Sequence, residues 1–108
     1  MTEVTIEGRR GPTGCVVELV EGGVRRPLNP HYDIRSHSPT GLEWGYGGSG
    51  PAQLALAILA ECTDRETALA YCLDYKWDVV AALPYQAWTL TREQVEAWVA
   101  RRQQGGDQ

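Results

Sequence analysis

Residues Gly45-Tyr46-Gly47-Gly48-Ser49-Gly50 carry the spacing G-x-G-x-x-G directly ahead of an apolar run that begins at Pro51. Glycines so spaced let a pyrophosphate approach the backbone and sit on the N-terminus of the following helix. Gly48, Ser49 and Gly50 are therefore the candidate anion-binding residues. The rest of a dinucleotide site is missing: no clear strand feeds the loop, and no strand ends with an acid about 20 residues later. Asp64 has that offset but opens a helix. A weaker anion site remains, set against glycines that simply permit a tight chain reversal. His37 and Glu43 bracket the same loop and form a candidate acid–base pair. Hydrogen bonds from His37, Ser36 and Ser38 that tie the loop together are the competing and preferred reading. Ser49 is no hydrolase nucleophile, because Pro51 takes the final glycine of G-x-S-x-G and no histidine follows it.

Cys15, Cys62 and Cys72 form no CxxC and fall within apolar patterns. They read as core thiols of a reducing compartment. Together with His31 and His37 they match no zinc spacing, so neither metal nor cofactor is expected. The aromatic set is distinctive, with four Trp, five Tyr and no Phe. Trp and Tyr dominate binding hot spots. Trp98 suits the core, whereas Trp44 and Tyr46, flanked by glycines, are expected to be exposed.

These residues need a scaffold, and 108 residues favour a single domain. No apolar run approaches the ~20 residues that span a bilayer, and the first residues lack the plan of a signal peptide. A cytoplasmic protein is expected. Net charge is −4, and the arginine pairs at 9–10, 25–26 and 101–102 are too scattered for a nucleic-acid surface. Glu61, Asp64, Glu66, Asp74 and Asp78 form an acidic stretch. It could meet a basic partner, although a solvated helix face is the simpler reading.

Val4, Ile6 and Gly8 alternate with polar residues as in a half-buried strand. A second strand is expected from Cys15 to Val20, and a third, shorter one from Val24 to Leu28, with Pro27 at its end or on an edge. Tyr32 to Arg35 could add an extended piece. Pro51 to Cys62 has only two polar side chains, Gln53 and Glu61, so this helix should be the buried hub. Gly50 or Ser49 would cap it, with Gln53 reaching back. Thr63 to Glu66 reads as the capping box of a second helix, with a stripe of Leu69, Cys72, Leu73 and Lys76. A break near Tyr75 and a short strand near 78–83 are expected next, with a longer helix through Val80 and Leu83, ended by Pro84, as the alternative. Thr91 and Gln94 make the capping box of a last helix that buries Val95, Trp98 and Val99. Residues 103–108 should fray. The expected fold class is α+β: a small N-terminal antiparallel meander packed on a buried central helix, with two further helices.

Ser36 to Leu59, SHSPTGLEWGYGGSGPAQLALAIL, resembles the signature of the small bacterial and phage family DUF6166, a domain of unknown function. The resemblance covers nearly the whole chain. It includes Asp33-Ile34-Arg35 and His37-Ser38-Pro39-Thr40-Gly41, and then Leu83-Pro84, Trp88, Leu90-Thr91 and Trp98. Leu42 and Ser36 stand where Phe and Asn are expected. The resemblance implies no catalytic residues; it suggests a bacterial, plasmid or phage setting. Small acidic proteins of mobile elements often act by blocking host proteins. The expected function is accordingly a non-enzymatic protein-binding module, with an inhibitor of a host defence complex, such as an anti-CRISPR, as its specific form. Its expected contact residues are His37, Glu43, Trp44, Tyr46 and Gly47, helped by Asp64 and Glu66. The alternative is a small-ligand or nucleotide-binding protein, or an enzyme, using the Gly45–Gly50 loop.

Overall fold

Alternation at the N-terminus produces a hairpin, as the pattern requires. In a computed structural model, which describes residues 3–38 and 41–105, β1 (Val4–Gly11) pairs antiparallel with β2 (Gly14–Glu21). Val4, Ile6, Val17 and Leu19 point to the core. β3 (Val24–Pro27) adds to β2 and stops at its proline. On the outer face, Arg9–Glu18, Arg25–Glu7 and Arg25–Glu18 ion pairs at 2.7, 2.8 and 3.5 Å form a solvated lattice, an arrangement that contributes little stability.

The apolar run forms α1 (Ser49–Cys62), buried along nearly its whole length. It lies under α2 (Arg65–Asp78) as the expected hub. Its N-cap is Gly48, one residue before the expected caps, and no side chain caps it. Gln53 does not reach back, because its amide is engaged by the preceding loop. Asp64, not Thr63, caps α2 by accepting from the Thr67 N–H at 2.8 Å. Thr63 instead donates its hydroxyl to the Leu59 carbonyl. The buried residues of α2 are Ala68, Cys72 and Tyr75, whereas Leu73 is exposed.

Two expected extended pieces are absent. Residues 32–34 form a turn, with the N–H groups of Ile34 and Arg35 donating to the His31 carbonyl. No break occurs at Tyr75, and no strand forms at 78–83. α2 runs on to Asp78, and a 3-10 turn follows at Val80–Ala82. The β-preference of Val79 and Val80 yields to tertiary packing: Val80 and Tyr75 are fully buried, and Asp78 accepts from the Trp98 indole at 3.2 Å. The fourth strand lies further on, as β4 (Ala87–Thr91), and pairs with the free edge of β1. The sheet order is β3-β2-β1-β4, all antiparallel, which with the helices makes an α+β fold.

Thr91 and Gln94 make the expected reciprocal cap at 2.9 and 3.1 Å. α3 (Arg92–Gly105) follows, burying Val95, Trp98 and Val99. Residues 103–105 are helical, not frayed; residues 106–108 of the expected tail lie outside the described residues, as do Pro39 and Thr40.

Aromatic rings join sheet to helices. Trp88 packs so closely on Gly8 that any side chain there would strike the indole. It meets Trp44 edge-on with centroids 5.5 Å apart, and Trp98 meets Tyr75 likewise at 4.9 Å. The Trp44 indole donates to the carbonyls of Pro84 and Tyr85. The buried Trp88 indole N–H has no partner among the described residues. Replacing Trp44 with Phe should therefore cost roughly 1 kcal/mol more than replacing Trp88 with Phe, because only the first breaks indole hydrogen bonds, leaving the Pro84 carbonyl without its donor while that of Tyr85 keeps Arg10. Equal urea midpoints for the two variants would contradict this.

Candidate functional site

Strand β1 sets Arg10 at the end of the hairpin, where its guanidinium becomes the node of the loop that precedes α1. It grips Glu43 in a fork, Nη2 to Oε1 at 2.8 Å and Nη1 to Oε2 at 3.1 Å. The same group donates to the Cys15 sulfur at 2.9 Å and to the carbonyls of Tyr85 and Trp44 at 2.8 and 3.3 Å. It also lies over the Trp44 and Tyr85 rings, 4.5 and 3.9 Å from their centroids. Arginine suits this task because its planar fork matches a carboxylate and stacks on aromatic faces. Glu43 and Trp44 are thereby held by charge-assisted bonds without regular secondary structure, and the Gly45 N–H donates to the Val80 carbonyl at 3.1 Å.

This cluster contains a thiol, a carboxylate and a guanidinium, but its electrostatics do not make a nucleophile. Burial and the bond to Glu43, which accepts from the thiol at 2.9 Å, push the Cys15 thiol up. The Arg10 hydrogen bonds hold the Glu43 carboxyl down at about 2. Cys15 therefore stays a neutral thiol, whereas reactive cysteines depend on a depressed pKa. Cys72 lies 3.7 Å from His37 Nε2. Burial pushes that thiol up too, and burial with Arg35 and Lys76 pushes the imidazole down, so the pair is neutral on both sides. Burial also raises Cys62, to about 11.

Beyond the clamp, two glycines serve as platforms for rings. Any side chain at Gly47 would collide with the Trp77 indole, and any at Gly48 with the Tyr46 ring. Both rings remain half or more exposed, Trp77 at 62% and Tyr46 at 51%. Leu73, one helical turn before Trp77 on α2, is exposed at 51%. Lys76 holds its ammonium 4.5 Å from the centre of the Trp77 ring. The result is a rim, a set of exposed apolar side chains with one cation, at the junction of the glycine loop and α2.

The expected contact residues divide accordingly. Tyr46 and Gly47 belong to this rim. Trp44 does not: it is fully buried, because the Arg10 guanidinium and two carbonyls capture its two ends. Glu43 is committed to Arg10. His37 and Glu43 share no hydrogen bond, since His37 turns to Cys72 and its backbone N–H donates to Gln53 at 2.6 Å. Asp64 is spent capping α2. Glu66 is exposed on the first turn of α2, roughly 17 Å along the helix from Trp77, and so sits apart from the rim. Of the acidic stretch, Glu61 pairs with Arg26 and His31, Asp74 with Arg102, and Asp78 with Trp98. Against the candidate anion-binding glycines, Tyr46 covers Gly48 and the Glu43 side chain packs on Gly50.

Sequence reasoning missed Trp77 and Leu73. Leu73 falls on the expected buried stripe of α2, and Trp77, one turn further along the same face, lies beyond the expected helix break. Gln53 was also missed as a structural centre. Fully buried, it accepts from the N–H groups of His37 and Ser38 and donates to the carbonyls of Pro30 and Arg35.

Residues 6–101 match DUF6166, a family of unknown function. The chain belongs to this family. No curated protein and no solved structure matches it. Within this DUF6166 chain, the clamp and the rim draw on the same central block, Glu43 to Gly48, that carries the resemblance. No helix among the described residues is long and apolar enough to cross a membrane, and no group of His, Cys, Asp or Glu among them could hold a metal ion.

Proposed function

We propose that this DUF6166 protein is a non-enzymatic protein-binding module whose contact surface centres on Tyr46, Trp77 and Leu73. One observation supports it above the others: Tyr46 and Trp77, both left largely exposed, rest on the adjacent glycines Gly48 and Gly47, and exposed Leu73 lies one turn before Trp77 on α2. Monomeric proteins rarely leave such a patch uncovered, and Trp and Tyr are the residues most enriched at hot spots. Rigid support also lowers the ordering cost on binding. The matching partner is a folded protein with an apolar pocket and an acidic group opposite Lys76. The raised thiols and the neutral His37–Cys72 pair favour binding over catalysis. A host defence complex as the target rests on the family resemblance alone.

Affinity capture with the wild type and with the Tyr46→Ala/Trp77→Ala double variant tests this. Each ring should be worth about 2 kcal/mol or more, so the double variant should lose capture of the partner beyond detection while keeping its circular dichroism and melting temperature. Because most of the acidic stretch is paired internally, raising salt should weaken the complex only modestly. Undiminished capture by the folded double variant overturns the reading. A steep salt dependence would move the contact to Glu66 and the start of α2.

A further inference from the structure

The two edges of the sheet are treated differently. β3 carries Arg25, Arg26 and Pro27 in its four residues, the charged and proline-bearing composition that discourages pairing with another strand. β4, Ala-Trp-Thr-Leu-Thr, has neither charge nor proline. Its register identifies the groups left open. The Arg10 N–H donates to the Gln86 carbonyl at 2.9 Å, continuing the ladder in which Gly8 faces Trp88 and Ile6 faces Leu90. In an antiparallel pair the hydrogen-bonded residues alternate. Gln86, Trp88 and Leu90 therefore bond inward to β1, while Ala87, Thr89 and Thr91 turn their backbone groups outward. The Thr91 N–H is taken by Gln94. Those of Ala87 and Thr89 have no hydrogen-bond partner among the described residues, and both residues are exposed.

Beside this edge lies a groove of about 300 Å³ lined by Leu90, Val79, Tyr75, Trp98, Ala97 and Arg101, together with Gln94. It is on the helix-facing side of the sheet, because Leu90 points there. Side chains opposite one another in adjacent strands share a face. A residue set opposite Leu90 in an added strand would thus project into the groove. Arg101, on its wall, has no ion pair among the described residues, whereas Arg102 is bound to Asp74.

We infer that the outer edge of β4 is a strand-addition site. Its occupant is an extended segment of a partner protein, which pairs with Ala87 and Thr89, places an apolar side chain in the groove beside Leu90 and sets a carboxylate near Arg101. Main-chain bonds supply affinity and the groove supplies selectivity, as in other edge-strand recognition. The site is separate from the Tyr46–Trp77 rim and stands or falls independently of it.

The test is selection of a displayed library of random linear peptides against the full chain, followed by amide exchange on the enriched binders. Enriched peptides should alternate apolar and polar residues, carry an Asp or Glu, and protect the Ala87 and Thr89 amides. Thr89→Pro removes an outward N–H without touching the ladder to β1, so it should keep the fold while weakening these peptides about tenfold or more. Arg101→Glu, which leaves the strand intact, should abolish the preference for acidic peptides. Protection elsewhere, indifference to both variants, or failure to enrich any peptide overturns the inference. So does a concentration-dependent dimer of the chain that Thr89→Pro dissolves, which would make a second copy the occupant.

Discussion

Replacing Arg10 with methionine should destabilise the protein by about 3 kcal/mol, the lower end for removing one partner of a buried ion pair. The side chain of Arg10 is only 15% exposed, but that of Glu43 is 34% exposed, so water screens part of the loss. Methionine retains bulk against the Trp44 and Tyr85 rings while removing the guanidinium donors to Glu43, Cys15 and the two carbonyls. Because Arg10 and Glu43 act together, Arg10→Met/Glu43→Gln should cost clearly less than the sum of the single changes. The pH dependence gives a second readout. Glu43 titrates at about 2 in the folded chain against an ordinary 4.5, so the unfolded chain binds more protons between those values. Its contribution is complete above about pH 4.5 and is lost as pH falls toward 2. Urea melts across that window should show stability falling for the wild type and a flatter profile for Arg10→Met. Parallel profiles would show that Glu43 does not depend on Arg10.

Gln53→Leu should be at least as damaging, although it places an apolar residue in an apolar helix. The change removes the acceptor shared by the His37 and Ser38 amides and the donor to the Pro30 and Arg35 carbonyls. Each orphaned buried group costs about 1–3 kcal/mol, and relaxation of the loop toward water recovers part of it. A net loss of roughly 3–5 kcal/mol is expected on that basis. Amide exchange at His37 and Ser38 should quicken far more than at Leu56 or Ile58 on the same helix. Gln53→Glu keeps the acceptor but loses the donor and buries a charge, so it should not rescue stability. A Gln53→Leu variant as stable as the wild type would remove this amide as the anchor of residues 30–38.

These two residues also mark where sequence reading stopped. What depends on neighbours in the chain was legible: the alternation of β1, the proline that ends β3, the Thr91–Gln94 cap and the all-apolar α1. Trp44 was misplaced because glycines on either side of the block suggest exposure, while the groups that bury it, Arg10 and the Pro84 and Tyr85 carbonyls, lie far away in the chain. Gln53 at the start of an apolar helix has the spacing of a capping residue, and only the folded loop reveals its four-sided amide contacts. β4 was overlooked because it runs straight into the cap of α3. The β-branched pair at Val79 and Val80 drew the fourth strand to the wrong place. In the candidate site, Tyr46 and Gly47 were legible, whereas Trp77 joins them only because α2 continues past Tyr75.

The strand order has a consequence for the order of events during synthesis. β1, β2 and β3 are complete by Pro27, but Thr5 finds its second partner only at Thr91. Until the chain has emerged past that point, one side of β1 stays unpaired and Gly8 remains an empty slot without the Trp88 ring that covers it. Contacts between such distant segments carry the full entropy of closing the intervening chain. The nascent protein can therefore hold its meander early, while its sheet closes as one of the last steps.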